Sequence, residues 1–316
     1  MKYALKRVGM LLVTMLLVSF LTFLAFHLVS GDPARTMLGT EATAAQVEAL
    51  RHELGLDQPF FVRYFSWLAG FFSGNLGESY SYRQPVWDLI GDKLEITLWL
   101  SLISFLLIVV ISIPLGVLSY QWVGGPLDPV RTAFNQLCMA VPPFFTGILV
   151  CWGFGIVLKA FTPGDFPSLH ASFGAALRHL FFGAVCLSIP RIAMTVRMMR
   201  STVVSEMNKA YVRTAISRGN DRRAVLTKHV LKNSLVSVVT FLGQTLAELV
   251  GGGIVVEQVL GIPGLGRFLV TSIAHRDYPV VQAIVVILAF WVVLAGTVAD
   301  LVNQYIDPRL RLGGAA

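Results

Sequence analysis

The chain has 316 residues, of which 55% are hydrophobic and 14% are charged, and its mean hydropathy is +0.69. Because a soluble domain carries roughly 25% charged residues, this composition excludes an ordinary soluble protein and predicts an integral membrane protein. The net charge of +7 does not favour nucleic-acid binding, since the cations cluster at the ends of apolar runs, as membrane orientation requires. The cysteines, Cys138, Cys151 and Cys186, lie in apolar segments and lack the spacing of a disulfide framework or a zinc site.

The first apolar run extends from residue 8 to residue 30 and is interrupted by His27. The cations that precede it are Lys2, Lys6 and Arg7. The run exceeds the roughly 7–15 residues of a signal-peptide core, and no small-residue cleavage site follows it. We therefore expect residues 1–30 to form an uncleaved N-terminal transmembrane helix with its N-terminus in the cytoplasm.

Residues 31–95 are polar and mixed in charge, with more acids than bases. Because they follow a span whose N-terminus is inside, they are predicted to form an extracytoplasmic segment with short helices. Thr43 and Gln46 have the spacing of a capping box, and Gly55 is placed to end the helix that begins there. The aromatic run 60–72 is too short and too mixed to cross a bilayer. Since Trp and Tyr favour the headgroup level, this run is predicted to be an interfacial helix or a helix packed outside the membrane.

The apolar runs that follow predict five further spans. They cover residues 96–120, 132–158, 173–196, 235–256 and 278–299. These spans form a core, residues 96–308, which is followed by a cytoplasmic tail, residues 309–316. In the third span of the chain, Pro142–Pro143 must break backbone hydrogen bonds, which is tolerated where the backbone is buried in protein or lines a cavity. The sequence therefore predicts an all-α integral membrane protein with about six transmembrane helices and both termini cytoplasmic.

The fourth span contains several polar residues, namely Arg178, His179 and Arg191. Its strictly apolar part is shorter than the roughly 20 residues that cross a bilayer. A span is nevertheless required here, because the basic loop that follows has to lie on the cytoplasmic side. Arg191 and Arg197 near its inner end are expected to snorkel or to face the interior of the bundle.

A basic loop, residues 200–232, separates the fourth and fifth spans. Its cations are Arg200, Lys209, Arg213, Arg218, Arg222, Arg223, Lys228 and Lys232. Lys and Arg resist translocation, so the loop is predicted to be cytoplasmic. Residues 207–218 can form a short helix, and Gly219–Asn220 would end it because both residues tolerate the left-handed conformation. Such a helix is typical of a docking site for another protein. The alternative is an ordinary solvated basic loop.

Within this loop, Tyr211–Gly219 has the form Tyr-Val-Arg-Thr-Ala-x-x-x-Gly. It resembles the EAA loop of bacterial ABC importer permeases, in the form typical of the dipeptide/oligopeptide/nickel branch. Further strings similar to that family occur in order along nearly the whole chain, at residues 54–59, 74–79, 83–86, 261–267, 276–282 and 307–309. The chain departs from the general motif at Arg213 and Thr214, where that motif has Glu and Ala. It also departs from the family at Pro143, an extra proline, and at Ser237, where the family often has Pro.

The resemblance implies a type I ABC importer permease architecture with a coupling helix that docks into a groove on an ATPase subunit. The residues it assigns to this contact are Ala210, Tyr211, Arg213, Thr214, Ala215 and Gly219. It also implies a second homologous permease subunit, two ABC ATPase subunits and an extracytoplasmic substrate-binding protein as partners, in the bacterial cytoplasmic membrane. ATP and Mg would be bound by the ATPase subunits, so no cofactor is expected in this chain.

No catalytic constellation is recognisable in the sequence, because the six histidines are scattered and the HExxH, nucleophile-elbow and Walker patterns are absent. Glu248 lies inside the fifth span, where a carboxylate should face a cavity or a partner charge. We interpret it either as part of the substrate path, accepting a cationic group, or as a structural ion-pair partner, with Arg191 as the candidate. Pro142 and Gly252 are assigned to the same path, whereas Glu257 is expected at the outer interface.

The glycine triplet 251–253 is interpreted either as close helix packing or, from the resemblance, as a bend near the outer end of the fifth span. The predicted function is the import of small peptides by alternating access, driven by separate ATPase subunits, with no metal site and no enzymatic activity in this chain. Nickel, metal chelates and glutathione are alternative cargoes. An ion-driven secondary transporter is a less favoured alternative, because it would need inverted repeats or broken helices in corresponding halves, which are not evident in the sequence. A membrane-embedded enzyme is less favoured still, because it would need a catalytic site and the sequence shows no recognisable one.

Overall fold

Long apolar helices dominate the computed structural model, which describes residues 2–28, 32–39 and 42–306. In chain order the helices are α1 (Lys2–Leu28), α2 (Pro33–Leu38), α3 (Ala44–Glu53), α4 (Phe60–Phe72), α5 (Val86–Gln121), α6 (Asp128–Ala140), α7 (Pro143–Val150), α8 (Phe173–Met207), α9 (Ala210–Ser217), α10 (Arg222–Val225), α11 (Leu231–Leu260), α12 (Leu265–Ala274) and α13 (Tyr278–Ile306). Two π-helical segments, Cys151–Val157 and Leu226–Val230, follow α7 and α10. No strand occurs in these residues, and the predicted tail 309–316 lies outside them.

Several of these helices are long and apolar enough to cross a bilayer. They cover residues 9–28, 86–121, 173–207, 222–260 and 278–302. A sixth candidate is a pair of helices, 128–140 and 143–157, which are bent by 91° relative to each other. Over the part of the chain that is described, the predicted all-α membrane fold is confirmed, with five spans or six when the bent pair counts as one.

The predicted third span is not one helix, because the chain breaks at its two prolines. α6 ends at Ala140, and Val141 and Pro142 adopt extended backbone conformations with ψ of 119° and 144° before α7 begins. Each of these two residues precedes a proline, whose ring disfavours the helical conformation of the residue before it. Pro143 can start the next helix because a first-turn N–H has no partner in the helix.

Two predicted boundaries are wrong by a few turns of helix. α5 begins at Val86, ten residues before the predicted start of the second span. α8 continues beyond residue 196 to Met207, so the first part of the basic loop is helical and not a loop. Met199 and Val203 are fully buried on this extension, and the apolar area that they remove from water stabilises the extra turns.

The chain divides into two compact units, and the first covers residues 1–97 and 263–293. In this unit the aromatic run 60–72 forms α4, which packs against α1. The hydroxyls of Ser19 and Tyr64 lie 3.0 Å apart, and the rings of Phe20 and Phe23 make edge-on contacts with Tyr64 at centroid distances of 5.5 Å. The predicted capping box of α3 is present, since Gln46 N donates to Thr43 Oγ1 and Thr43 N donates to Gln46 Oε1.

A buried carboxylate organises the turn that precedes α5 in the same unit. Asp277 is fully buried and accepts three hydrogen bonds, from Ser79 Oγ at 2.5 Å, Tyr80 N at 3.1 Å and Ser81 N at 3.2 Å. Charge-assisted hydrogen bonds of this kind are stronger than neutral ones. They fix the turn against the residue directly before α13.

The second unit covers residues 98–262 and 294–316, and in it glycines allow helices to approach closely. A Cβ placed on Gly243 of α11 would lie 1.9 Å from the Cβ of Ala299, and one on Gly116 would lie 2.5 Å from the Cβ of Met199. Small residues serve this purpose in membrane helix pairs. α11 continues through residues 251–253 without interruption and ends at Leu260, followed by Gly261 with φ of +72°. The helix is therefore not broken at the triplet, and the chain turns at Gly261, eight residues later.

Candidate functional site

The short helix α9 lies within the basic segment, and its two ends are set by local chemistry. It begins at Ala210 and not at residue 207, because Met207 is the last residue of α8. Gly219 has φ of +84° and its N–H donates to Ile216 O at 2.9 Å. Asn220 donates twice to Ala215 O, from its backbone N at 3.3 Å and from Nδ2 at 3.0 Å. The predicted stop at Gly219–Asn220 is therefore present.

Tyr211 connects α9 to two long helices of the same unit. Its hydroxyl donates to Glu206 Oε2 at 2.9 Å, near the end of α8, and accepts a hydrogen bond from Asn233 Nδ2 at 3.2 Å, near the start of α11. The side chain of Val212, 1% exposed, holds the same turn by apolar burial. A displacement of α9 would therefore pull on α8 and α11 together.

The Tyr211 hydroxyl is protonated at neutral pH. Burial is the largest cause and raises the pKa of Tyr211; the hydrogen bond with Asn233 lowers this pKa, and the hydrogen bond with Glu206 raises it. The hydroxyl thus stays protonated and remains a donor to Glu206. Lys209 forms an ion pair with the same carboxylate, and its hydrogen bond with Glu206 raises the pKa of the ammonium group.

The remaining residues assigned to the ATPase contact lie on the accessible side of α9. Ala210, Arg213, Thr214 and Gly219 are exposed, and Ala215 is half-buried. The Thr214 hydroxyl donates to Ala210 O at 3.1 Å and is therefore bonded within the helix. The accessible surface of α9 therefore presents these small residues and Arg213 to a partner, together with the exposed side chain of Ile216.

The segment after α9 is tied to a third long helix. Asp221 Oδ2 accepts a hydrogen bond from Arg223 N at 3.1 Å and so caps α10. Arg222 donates from its guanidinium to the Tyr120 hydroxyl at 2.8 Å, near the end of α5. The basic segment is thus fixed to the ends of α5, α8 and α11.

A second polar feature lies within the spans of this unit. The guanidinium of Arg191 on α8 forms an ion pair with the carboxylate of Glu248 on α11, and the two side chains are 29% and 55% exposed. Gly252 follows Glu248 by one helical turn, so both residues share a face of α11. Pro142 is exposed at the break between α6 and α7.

Three polar residues have surroundings that were overlooked at the sequence level. Glu257 is fully buried on α11, and its expected depth at the outer interface stays a prediction. Asp277 was not singled out, although an acidic residue directly before a helix start is a recognisable capping signal. Asn233, which contacts Tyr211, has no signal in the local pattern, because the contact joins residues 22 positions apart.

Comparison with known proteins gives concordant results. Residues 112–312 match the family described as "Binding-protein-dependent transport system inner membrane component", and residues 1–103 match the N-terminal part of such membrane components. The chain is 33% identical to a protein of Sinorhizobium fredii named "Probable peptide ABC transporter permease protein", over 98% of this chain and 99% of that one. It is also 33% identical, over the same shares of the two chains, to the glutathione transport system permease protein of Escherichia coli O6:H1.

The fold is similar to a solved transporter structure as well. A chain from the inward-facing methionine ABC transporter MetNI superposes with a TM-score of 0.55 at 19% sequence identity, covering 69% of this chain and 96% of that one. At this identity the likeness concerns the fold, which is the type I importer permease fold expected from the sequence.

Proposed function

The chain belongs to the family of binding-protein-dependent transport system inner membrane components, and we propose that it carries small peptides as the permease subunit of an ATP-driven importer. It is a multi-pass protein of the cytoplasmic membrane. Support for a peptide cargo comes from relatives whose names specify peptide transport and that align over nearly the whole chain. Glutathione is the second candidate, because a relative of equal identity is named for it.

The proposed assembly contains a second homologous permease subunit, two ATPase subunits and an extracytoplasmic binding protein. ATP and Mg would be bound by the ATPase subunits, and this chain would have no catalytic site of its own. The binding protein would deliver the substrate to the outer mouth. Closure of the ATPase dimer on ATP would then favour the other access state, because ATP binds the two states with different affinity.

The observation that carries this mechanism is the attachment of α9 by Tyr211 to both α8 and α11. α9 would dock on an ATPase subunit through Ala210, Arg213, Thr214 and Ala215. Since Tyr211 bonds to residues on both long helices, a force on α9 would reach them without an intervening flexible segment. Gly219 would allow the sharp turn after α9 without backbone strain, because glycine adopts positive φ freely.

The same two helices carry the polar pair that would meet the substrate. Glu248 is accessible on α11. During transport its carboxylate would release Arg191 and pair with the cationic amino terminus of the peptide instead. Gly252 would keep the same face of α11 open, and Pro142 would shape the path where the α6–α7 break exposes backbone. A charged group inside a span normally faces a cavity or another charge.

Reconstitution of the importer in liposomes tests the proposal. With the binding protein outside and ATP inside, labelled dipeptides, longer peptides, glutathione and nickel would be compared at equal concentration. Uptake of peptides that requires ATP is expected, and ATP-dependent uptake of glutathione or nickel alone would contradict the peptide assignment. In the same vesicles Gly219→Asp should uncouple ATP hydrolysis from uptake, whereas Gly124→Asp, another exposed positive-φ glycine, should retain coupling.

A further inference from the structure

An apolar groove opens between α5, α6 and α8, away from the Arg191–Glu248 pair. Its volume is about 620 Å³, and its apolar wall includes Leu115, Phe134, Ile189 and Ile192. Arg200 lines it as well and follows Arg191 by nine residues, which is two and a half turns of α8. The groove therefore lies on the opposite face of α8 from the pair that we assign to the substrate path.

Three guanidinium groups line one end of this groove. Arg200 donates to Asp128 Oδ2 at 2.8 Å and to Thr132 Oγ1 at 3.1 Å. Arg131 lies over the ring of Trp122 at 3.7 Å from its centroid, and Arg197 is exposed. Among the described residues, this rim carries three cations, Arg131, Arg197 and Arg200, and one carboxylate, Asp128. The net charge of the rim is therefore positive.

The polar rim and the apolar wall follow one another along the same helices. Asp128 and Thr132 of α6 pair with Arg200, while Asn135, one turn further, donates to Ala193 O at 3.0 Å. From Arg200 to Ile189 the groove extends along α8 for eleven residues, which is about 16 Å. This length is close to half of the roughly 30 Å hydrocarbon core of a bilayer.

We propose that this groove binds one anionic phospholipid of the inner leaflet, with an acyl chain along the apolar wall and the phosphate at Arg131, Arg197 and Arg200. The arginine rim lies at the end of α8 that leads into the basic segment, which is the cytoplasmic end by the positive-inside rule. Basic pockets between transmembrane helices on that side suit anionic headgroups. Trp122 beside the rim has the amphipathic ring that favours the headgroup level.

The first test compares lipids on the intact importer complex, assembled with its partner subunits. Native mass spectrometry would measure retention of phosphatidylglycerol and phosphatidylcholine with identical acyl chains after exchange from mixed micelles. Phosphatidylglycerol should be retained about thirtyfold better, since Arg131 and Arg197 each contribute on the order of 1 kcal/mol to the attraction of anionic lipid, while Arg200 is already paired with Asp128. Equal retention of the two lipids would overturn the proposal.

Variants separate the contribution of the rim from that of the wall. Arg131→Gln/Arg197→Gln should remove the preference for phosphatidylglycerol, and the control Arg178→Gln, an exposed arginine near the other end of α8, should keep it. Leu115→Trp narrows the groove with all charges intact and should lower retention of the lipid, whereas Leu118→Trp, a half-exposed neighbour outside the groove, should not. Unchanged retention in both groove variants would refute the site.

Two further measurements exclude other occupants. Glycerol 1-phosphate, which has the charged group without acyl chains, should not displace the lipid at millimolar concentration, and full displacement would indicate a soluble-anion site instead. Cys138 lines the groove and, in a Cys151→Ser/Cys186→Ser background, should become protected from maleimide when phosphatidylglycerol is added. A benzophenone maleimide attached to Cys138 that photocrosslinks to the partner permease would show that protein, and not lipid, fills the groove.

Discussion

The guanidinium of Arg191 on α8 is ion-paired with the carboxylate of Glu248 on α11. Tyr211 of α9 bonds to the same two helices, near the end of α8 and near the start of α11. A charge inside a membrane span is costly unless it is paired or hydrated, so the pair stabilises one arrangement of α8 against α11. A movement that starts at α9 would therefore act on the helices that hold the pair.

Neutralising Glu248 should reduce transport without preventing assembly. In Glu248→Gln the substrate's amino group loses its counter-charge, and we expect uptake at limiting peptide concentration to fall about tenfold, the effect of losing one charged hydrogen bond. Uptake by reconstituted vesicles and co-purification of the partner subunits are the measurements. Normal uptake by this variant would contradict the assignment of Glu248 to the substrate path.

The double variant Arg191→Gln/Glu248→Gln distinguishes the two interpretations of the pair. If Glu248 serves only as a structural partner, removing both charges leaves no stranded cation, and uptake should recover toward the wild-type rate. If Glu248 receives the substrate, the double variant should transport as poorly as Glu248→Gln. We expect the second result.

Removing the Tyr211 hydroxyl should loosen the connection between α9 and the long helices. Tyr211→Phe keeps the ring but deletes the hydrogen bonds with Glu206 and Asn233, which should cost about 1 kcal/mol of stability. The number of peptides imported per ATP hydrolysed should fall about two- to tenfold, because force on α9 is no longer shared by α8 and α11. Tyr82→Phe, at an exposed tyrosine between α4 and α5, is the control, and an unchanged ratio in Tyr211→Phe would contradict the link.

Features set by local chemistry could be predicted from the sequence. The end of α9 at Gly219 and the break at Pro142–Pro143 follow from the backbone preferences of glycine and proline, which act within a few residues. The capping box of Thr43 and Gln46 is local for the same reason. Apolar runs of sufficient length also located the spans, since the bilayer fixes the length of an apolar helix.

Features that depend on packing could not be predicted in this way. α8 extends to Met207 because Met199 and Val203 are buried by other helices. The local sequence around these two residues does not show that they will be buried. Glu257 is buried for the same reason, since the rotation of α11 about its axis is set by its neighbours. The bonds of Asp277 to Ser79 and the following turn join residues almost 200 positions apart.

Asp277 should be essential for the order of the turn that precedes α5. Asp277→Ala leaves the Ser79 hydroxyl and two backbone N–H groups without their acceptor, and we expect a loss of about 2–4 kcal/mol in the free energy of unfolding. Arg83 is exposed within this turn, so trypsin should cleave there faster in the variant. Asp57→Ala, at a half-exposed carboxylate, should change neither measurement, and equal cleavage rates for Asp277→Ala and the wild type would refute the role.

Two glycines of α11 should respond to alanine with opposite signs. At Gly243 the added methyl group would lie 1.9 Å from the Cβ of Ala299, so Gly243→Ala should force the helices apart and cost about 1–3 kcal/mol. At Gly251 nothing lies within 4 Å of the added atom, so Gly251→Ala should gain up to about 1 kcal/mol from the better helix propensity of alanine. Thermal unfolding of the importer in detergent measures both changes. Ala299→Gly in the Gly243→Ala background restores the space and should recover most of the loss, and a failure to recover it would place the cause of the destabilisation elsewhere.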